Sequence, residues 1–311
     1  MTRQIPFGES LMLHMQINNA IENYLQWKSV YSPSAAKTYA IRLKYFVHTL
    51  AENITIDQIT LASIISFHKK METENYSRVT ISYSLVVLKN FFSFWKDRGY
   101  TVVNPKDIKP VKYLHRIKPV ATKDDFEKLS ASLDEYNYTE LQIKLAIHLL
   151  WDTGMRLSEL TDLNISDIND PNEDGIRTAQ IMSKKSYKHN LVAWSKETDK
   201  LLCMYLGVRL SSNQHSEALF INNHAKKKKR LNARSVQRWV KIACCKAGIT
   251  KLLTPHSFRH GKAHQMLNNG ANIRDVQAVL RHVNPVTTFH YLSMNEKQFL
   301  EVAGKHLKFV M

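Results

Sequence analysis

Three short segments in the second half of the chain carry the residue types that phosphoryl transfer requires. His256 and Arg259 lie three residues apart, His282 follows in a second segment, and Tyr291 comes nine residues after His282. Arginine and histidine N–H groups can donate to phosphate oxygens. A tyrosine hydroxyl can be a nucleophile if its neighbours lower the cost of losing its proton. The order and spacing of these residues predict attack on a phosphodiester.

Arg156 is a further candidate for binding the phosphate. It follows Gly154-Met155 and begins a predicted helix that contains Glu159. An arginine at a helix N-terminus adds its donors to free backbone amides, which favours an anion site. Glu159 could orient another catalytic side chain, or it could simply pair with Arg156 at the start of the helix. The residues alone leave these two interpretations open.

The composition favours a polyanionic partner. The 311 residues include 44 Lys+Arg and 27 Asp+Glu, for a formal charge of +17. Binding to nucleic acid releases counterions, so such a charge favours DNA or RNA, although a basic enzyme with another substrate has the same composition. The three cysteines, of which Cys244 and Cys245 are adjacent, indicate no disulfide framework and a reducing compartment. No metal-ligand spacing is present, and we expect no metal or other cofactor.

Membrane association is not predicted. The N-terminus lacks the basic start and apolar run of a signal peptide. The most apolar helical segment, 141–151, contains Lys144 and is too short to span a bilayer. Together with the cysteine usage, these features predict a cytoplasmic protein.

The first hundred residues predict a bundle of four helices. Apolar residues recur at helical spacing in 12–28, in a segment opened by Ser32-Pro33, in 60–71, and from Ser77 to a stop at Gly99. We expect the aromatic residues of the fourth helix, Phe91, Phe92 and Trp95, to pack in the core. The opposite faces carry basic residues that suit contact with phosphates: Lys37, Arg42, Lys44, Lys69, Lys70, Arg78 and Lys89.

The remaining chain predicts a basic connector and a second domain. Three X-Pro pairs in 104–119 favour extended backbone. Thr122 to Asp125 resembles a capping box, and a buried helix follows over 140–152. Strands are predicted at 176–182 and 191–194, joined by a basic loop. Further helices are predicted over the segments 196–206, 232–247, 259–268 and 273–280.

The ordered motifs resemble the tyrosine recombinase family of phage integrases and Xer-type recombinases. They read TGMRLSEL, HSFRH and LRHVNPVTTFHY, and the resemblance extends over about residues 11–307. It implies a mainly α fold with a small antiparallel β-sheet in the C-terminal domain. The implied domains are a SAM-like helical bundle that binds core DNA (1–105), a basic linker (106–121) and the catalytic domain (122–311).

The resemblance also implies roles for individual residues. Arg156 and Arg259 would bind the scissile phosphate, His256 and His282 would donate hydrogen bonds or protons around it, and Tyr291 would be the nucleophile. Glu159 would be the supporting acidic residue. A hairpin lysine would be the general acid: aligning Leu191-Val192 with the family's second strand selects Lys185, with Lys184 as the alternative. The implied DNA-binding residues are Lys184, Lys188, Lys226, Lys227, Lys228, Lys229 and Arg230.

Two positions depart from the family pattern. Arg281 stands where the family usually has Gly in a Leu-Gly-His motif. Ala193-Trp194 stand where a Pro and an aliphatic residue usually follow the hairpin. Neither departure removes a reacting group.

The resemblance implies a site-specific DNA recombinase that cleaves and rejoins double-stranded DNA through a 3′-phosphotyrosyl intermediate, in integration, excision or dimer resolution. It would act in the cytoplasm, associated with the nucleoid, as a homotetramer on two DNA sites, without metal or ATP. A helix over 296–308 would pack into a neighbouring subunit or back onto its own domain. The alternatives are a DNA-relaxing enzyme of the type IB topoisomerase kind and a catalytically silent DNA-binding regulator.

Overall fold

The chain forms two compact units, Met1–Arg116 and Ile117–Met311. The computed structural model describes residues 14–113, 119–183, 188–211, 216–222 and 229–281. The division falls inside the predicted linker 106–121. Ile108 is buried in the core of the first unit and Ala121 in that of the second, so residues near both ends of this segment pack against a unit. The predicted domain boundaries themselves stay predictions.

The described part of the first unit is helical, as predicted. Its elements are α1 (Ile17–Tyr31), α2 (Pro33–Val47), a 3-10 helix (Ile56–Gln58), α3 (Leu61–Thr73) and α4 (Arg78–Lys96). The break between α1 and α2 falls at Ser32, whose φ of −157° and ψ of 87° are not helical. The ring of Pro33 disfavours the α conformation at the residue before it. The first helix therefore continues to Tyr31, three residues beyond the predicted end at 28.

Helix α4 supplies more buried apolar side chains to the first core than any other described element. Phe91, Phe92 and Trp95 are buried, and the rings of Phe91 and Phe92 meet edge to face at 5.1 Å between centroids. The prediction that these aromatic residues pack in the core is confirmed. Lys37 and Lys89 are exposed on the outer faces of α2 and α4, where they are accessible to a polyanion.

The second unit combines helices with one hairpin. Its elements are α5 (Lys123–Ala131), α6 (Tyr138–Thr153), α7 (Leu157–Asp162), a 3-10 helix (Ile165–Asp167), β1 (Thr178–Ser183), β2 (Lys188–Ala193), α8 (Lys196–Ser211), α9 (Ala233–Lys246), α10 (Pro255–Asn268) and α11 (Ile273–Leu280). The predicted capping box of α5 is present. Thr122 N donates to Asp125 Oδ2 at 2.9 Å, and Asp125 N donates to Thr122 Oγ1 at 3.2 Å.

Helix α6 is the centre of the second unit. It packs against α5, α8, α9 and α10, and its side chains Leu145, Leu149 and Leu150 have no exposed surface. A helix that is apolar on most faces must be enclosed by other elements, and this explains the position of α6. Across the described ranges, no helix is both long enough and apolar enough to cross a membrane.

The hairpin differs from the prediction in the length of its second strand. Strands β1 and β2 are antiparallel, with Thr178 opposite Ala193 and Ser183 opposite Lys188. The second strand was predicted over 191–194, but it begins at Lys188. Lys188, His189 and Asn190 are polar, and they join the strand through backbone pairing, which places no apolar requirement on their side chains. The connection between the strands is therefore four residues, 184–187.

A glycine in α10 allows the segment before α5 to pack closely against this helix. A Cβ at Gly261 would lie 2.3 Å from Ala121 O, which is far inside the contact distance. Ala121 N also donates to Ser257 O at 3.1 Å. The segment before α5 therefore lies directly on the helix that carries His256 and Arg259.

Candidate active site

A left-handed turn at the end of α6 begins the site. Gly154 has φ 57° and ψ 23°, and a Cβ there would lie 2.6 Å from Leu280 Cδ2. Glycine satisfies both the backbone conformation and the close approach to α11. Because the chain reverses here, Arg156 becomes the N-cap residue of α7.

Arg156 joins three elements of the second unit. Its Nη1 donates to Glu159 Oε1 at 2.7 Å and to Ser183 Oγ at 3.4 Å, and its Nη2 donates to Arg281 O at 3.1 Å. Its backbone N–H also donates to Glu159 Oε2 at 2.8 Å. The guanidinium is therefore fixed among α7, the end of β1 and the end of α11. Its side chain is 17% exposed, so one part of it faces solvent.

Arg259 lies in the second turn of α10 and is buried. Its Nη1 donates to Gly154 O at 2.6 Å, and its Nη2 donates to Leu280 O. Both carbonyls belong to helix C-termini, where the helix dipole and the unpaired carbonyl groups favour a cation. Since Arg281 O accepts from Arg156, the C-terminus of α11 holds both arginines that the sequence predicts to bind phosphate.

Glu159 is the buried anion of this cluster. It accepts from Arg156 and also from Arg281 Nη2, which lies 3.2 Å from its Oε2. Burial raises the pKa of the Glu159 carboxyl. The hydrogen bond from the Arg156 backbone and the positive charges of Arg281 and Arg156 outweigh burial and hold the pKa below its ordinary value. Glu159 is therefore ionised near neutral pH.

His256 lies at the exposed start of α10. Thr254 is the N-cap residue, and its backbone N–H donates to Ser257 Oγ at 3.1 Å. His256 is exposed, whereas Arg259, one turn further, is buried. The imidazole of His256 is therefore accessible to a ligand that approaches the N-terminus of α10.

Several predicted site residues lie outside the described part of the chain, namely Lys184, Lys185, Lys226, Lys227, Lys228, His282 and Tyr291. Two of their sequence neighbours are described. Ser183, which accepts from Arg156, directly precedes Lys184, and Arg281, whose carbonyl accepts from Arg156, directly precedes His282. The segments with the predicted general acid and the second histidine thus begin at residues that contact Arg156.

The two described residues of the basic run, Lys229 and Arg230, lie in different environments. Lys229 is exposed, and its carbonyl accepts from Asn222 N at 2.8 Å. Arg230 donates through Nη1 to Thr161 O at 3.0 Å and through Nη2 to Asn164 Oδ1 at 2.5 Å. The guanidinium of Arg230 therefore ties this segment to the end of α7.

The sequence did not reveal how the two arginines are held. Ser183 and the carbonyls of Gly154 and Leu280 are partners that tertiary packing supplies. Arg281 was noticed as a departure from glycine, but its contact with Glu159 was not foreseen. The left-handed conformation of Arg281, with φ 56°, explains why glycine is suited to this position.

The cluster has a net positive charge. Arg156 and Arg281 both pair with the buried carboxylate of Glu159, and the buried Arg259 is bound by the carbonyls of Gly154 and Leu280. Preorganised donors in such a site stabilise charge that develops on a phosphoryl group. Within the described residues, no group of three or more His, Cys, Asp or Glu side chains could hold a metal ion. The guanidinium donors of Arg156 and Arg259 favour an anion site.

The helical fold agrees with the sequence comparisons. The profile described as "Phage integrase family" matches residues 119–298, and that of the "Phage integrase, N-terminal SAM-like domain" matches residues 20–99. The tyrosine recombinase XerC of Leptospira interrogans is 30% identical over 295 residues, which cover 91% of this chain and 90% of the relative. The chain belongs to the phage integrase family and is a tyrosine recombinase, an enzyme that breaks and rejoins DNA.

Solved structures share the fold. The recombinase XerH bound to palindromic difH substrate, in a post-cleavage complex, has a TM-score of 0.71 and 21% identity, and the match covers 93% of this chain and 84% of that one. A lambda integrase tetramer bound to a Holliday junction has a TM-score of 0.68 and 15% identity, with 90% and 78% covered. At these identities, the likeness establishes the architecture.

Proposed function

We propose that this recombinase exchanges strands between two double-stranded DNA sites, with Tyr291 as the nucleophile. The observation that carries this proposal is the fixing of Arg156 and Arg259 at the end of α11, directly before the segment that contains His282 and Tyr291. Both arginines are held by carbonyls and a carboxylate before any DNA binds. Such preorganisation reduces the reorganisation that the transition state requires.

In the proposed cleavage step, the Tyr291 oxygen attacks the scissile phosphorus and the bond from phosphorus to the 5′ oxygen breaks. One of the two histidines, His256 or His282, accepts the phenol proton, and Lys185 protonates the departing 5′ oxygen. Arg156 and Arg259 stabilise the added negative charge. The products are a 3′-phosphotyrosyl enzyme and a free 5′ hydroxyl.

Rejoining is the reverse reaction with a different strand. A 5′ hydroxyl of the partner duplex attacks the phosphorus and gives its proton to the Lys185 amine. The bond from phosphorus to Tyr291 breaks, and the histidine returns the proton to the tyrosine oxygen. The ester bond is exchanged without hydrolysis, so the bond energy is retained and no nucleotide triphosphate is consumed. Strand exchange of this kind therefore needs no ATP.

DNA cleavage assays would test whether Tyr291 is the nucleophile. Sites would be mapped by recovering DNA covalently bound to the protein across the host genome, and pairs of these sites would be placed on a supercoiled plasmid. The wild type should form an adduct and exchange the paired sites, and Tyr291→Phe should form no adduct. Tyr136→Phe is the matched control, because Tyr136 is 88% exposed on the same unit. An unchanged adduct yield in Tyr291→Phe would exclude this nucleophile.

The same assay separates the alternative functions. Relaxation of plasmids that lack paired sites, without exchange, would indicate a topoisomerase. Sequence-specific binding with no adduct on any mapped site would indicate a silent regulator.

Two neighbouring lysines compete for the role of general acid. Lys184 and Lys185 both follow Ser183, which accepts from Arg156, in the connection 184–187. A substrate with sulfur in place of the bridging 5′ oxygen separates them, because a thiolate leaves without protonation. Lys185→Ala should cleave ordinary DNA slowly and the sulfur substrate at the wild-type rate. If the sulfur substrate restores the rate of Lys184→Ala instead, Lys184 is the general acid. If it restores the rate of neither variant, neither lysine is the general acid.

Basic segments outside the arginine cluster would supply affinity for the DNA backbone. We assign this role to Lys184, to Lys188 on β2, and to the run Lys226–Lys229. Arg230 belongs to the same predicted run, but its donors to Thr161 O and Asn164 Oδ1 favour a structural role. Removing a phosphate contact weakens binding to all sequences and lowers its salt dependence. Salt titrations of lysine and Arg230 variants would therefore test this division.

The proposed assembly is a homotetramer on two DNA sites, acting at the nucleoid in the cytoplasm. Its support is the shared fold with a lambda integrase solved as a tetramer on a Holliday junction. The predicted helix 296–308, which lies outside the described residues, would link neighbouring subunits. Light scattering with paired-site DNA, compared between the full chain and a variant truncated after 295, would test the assembly. A truncated chain that still assembles would place this helix on its own subunit.

A further inference from the structure

Arg281 combines three features that its position at a helix end does not require. It is in the left-handed conformation, which favours glycine, and its side chain is 7% exposed. Its Nη2 donates to Glu159 Oε2 at 3.2 Å and its Nη1 donates to Val279 O at 2.7 Å. Its Nε is buried without a hydrogen-bond partner among the described residues. A charged residue in such surroundings is disfavoured unless its contacts have another effect.

The contact with Glu159 changes the charge available at Arg156. A carboxylate paired with Arg156 alone would neutralise that guanidinium. Because Glu159 is shared between Arg156 and Arg281, the three groups together keep one positive charge. Three hydrogen bonds join the Arg156 guanidinium to described residues, and a guanidinium has five N–H groups. Donors and charge therefore remain for a phosphate.

The backbone of the same residue acts on the same partner. Arg281 O accepts from Arg156 Nη2 at 3.1 Å, while the Arg281 side chain binds the carboxylate that Arg156 Nη1 contacts. Arg281 thus restrains Arg156 from two directions, once through its carbonyl and once through Glu159. With its side chain directed to Glu159 and almost fully buried, Arg281 is placed to act through Arg156 and not on DNA itself.

We propose that Arg281 is a positioning residue for phosphate binding: it shares the Glu159 carboxylate, and so keeps Arg156 oriented and leaves a net positive charge on the group of Arg156, Glu159 and Arg281. This inference rests on the proposed function, because it assigns Arg156 to the scissile phosphate. It predicts that a neutral residue at 281 slows cleavage even if the fold is unharmed. It also predicts that Glu159 binds a proton more readily without Arg281. The other titratable groups that line the cleft beside Glu159 are Asp162, Asp167 and His189.

The test compares Arg281→Gly, Arg281→Ala and Arg281→Lys with the wild type. Single-turnover adduct formation would be measured on nicked duplexes that carry a mapped site, which trap the covalent product, and DNA affinity would be measured by fluorescence anisotropy. Gly and Ala should slow adduct formation at least 10-fold, by similar factors, with affinity changed less than threefold. Lys keeps the charge and should recover part of the loss. The acid limb of the rate–pH profile should move to higher pH in the neutral variants.

A purely structural role makes a different prediction. Glycine adopts the left-handed conformation without strain, so Arg281→Gly should be more stable than Arg281→Ala. If Arg281 has only a structural role, the more stable glycine variant should also cleave faster than the alanine variant. An Arg281→Gly protein that cleaves at the wild-type rate with an unchanged pH profile would overturn the proposal. Equal losses in the Lys and Ala variants would also overturn it.

A second measurement does not depend on cleavage. The carboxyl of Glu159 can be titrated by carbon-13 NMR in protein without DNA, and its pKa should be higher in Arg281→Gly than in the wild type. If the wild type forms no adduct but the pKa of Glu159 rises in the variant, the proposed function fails and the pairing with Arg281 stands. If the wild type cleaves DNA but the pKa is unchanged, the positioning role fails alone.

Discussion

Two helices of the second unit end in the same backbone conformation with opposite consequences for the side chain. Gly154 follows α6 with φ 57° and ψ 23°, and Arg281 follows α11 with φ 56° and ψ 47°. Both residues present a carbonyl to an arginine, since Gly154 O accepts from Arg259 and Arg281 O accepts from Arg156. The left-handed turn is therefore the device by which this fold directs helix carbonyls at its two predicted phosphate-binding residues.

The difference between the two ends lies in what surrounds the Cβ. At Gly154 a Cβ would lie 2.6 Å from Leu280 Cδ2 of the other helix, so any side chain there requires Leu280 to move. At Arg281 the side chain has room to extend to Glu159, where it forms an ion pair. The comparison shows that backbone preference alone does not decide the residue at a left-handed position. The neighbours decide whether a side chain is excluded or used.

Gly154→Ala changes the left-handed residue at the end of α6 and should have the largest effect on stability. A non-glycine residue in the left-handed region costs about 1–2 kcal/mol, and overpacking against Leu280 adds about 1–3 kcal/mol. We expect the free energy of unfolding, measured with urea, to fall by about 2–5 kcal/mol. Adduct formation should also fall, because the carbonyl that holds Arg259 moves.

Gly207→Ala is the matched control. Gly207 lies within α8, and a Cβ there would meet nothing within 4 Å. Alanine is the better helix former, so this variant should gain up to about 1 kcal/mol. A Gly154→Ala protein as stable as Gly207→Ala would show that α6 and α11 separate easily, and that the close approach is not required.

The elements were predictable where local pattern decides them. The apolar spacing of α4 and the pair Thr122 and Asp125 fix a core face and a helix start without help from the rest of the fold. The hairpin was less predictable. Lys188 to Asn190 resemble a loop by composition, but backbone pairing with β1 includes them in β2. Strand β1 alternates between buried and exposed residues, as a strand with one solvated face does, but the three polar residues at the start of β2 carry no such pattern.

The candidate site was predictable as an ordered set of residues but not as a geometry. Arg156 and Arg259 were identified from their motifs. Glu159 was foreseen as a possible partner of Arg156. The other partners could not be, because the contacts of Arg259 with Gly154 O and of Arg156 with Arg281 O join positions more than 100 residues apart. Arg281 stood out as a non-glycine residue in a glycine position. That its guanidinium reaches Glu159 depends on how α7 and α11 pack, which one sequence does not show.

The second largest expected effect is the loss of stability at low pH that the buried His148 of α6 causes. Its ring is buried between Ser130 Oγ at 2.8 Å and Thr198 Oγ1 at 3.3 Å. Burial is the main cause that lowers the pKa of His148 from 6.5 to about 4. Above pH 6.5 neither the folded nor the unfolded state is protonated there. As the pH falls from 6.5 toward 4, the unfolded state gains a proton that the folded state refuses, and about 2–3 kcal/mol of stability is lost.

The measurement is urea denaturation of the wild type and of His148→Gln at several pH values between 4 and 7. The variant lacks the titrating ring, so the difference between the two proteins isolates His148 from other histidines such as the half-buried His264, whose pKa burial also lowers. The stability of His148→Gln relative to the wild type should rise as the pH falls. Parallel curves would mean that His148 is protonated or solvated in the folded protein.

The smallest expected effect on stability concerns the left-handed residue at the end of α11. Arg281→Gly and Arg281→Ala both lose the ion pair with Glu159, so their difference in stability reports the left-handed conformation alone. Glycine should be more stable than alanine there by about 1 kcal/mol. Asn75 provides a matched pair, because it has φ 59° and is exposed after α3, so Asn75→Gly and Asn75→Ala should differ by a similar amount. If the Asn75 pair differs but the Arg281 pair does not, the end of α11 has left the left-handed conformation once the guanidinium is gone. The ion pair with Glu159 would then hold the turn, whereas at Gly154 the turn is held by packing.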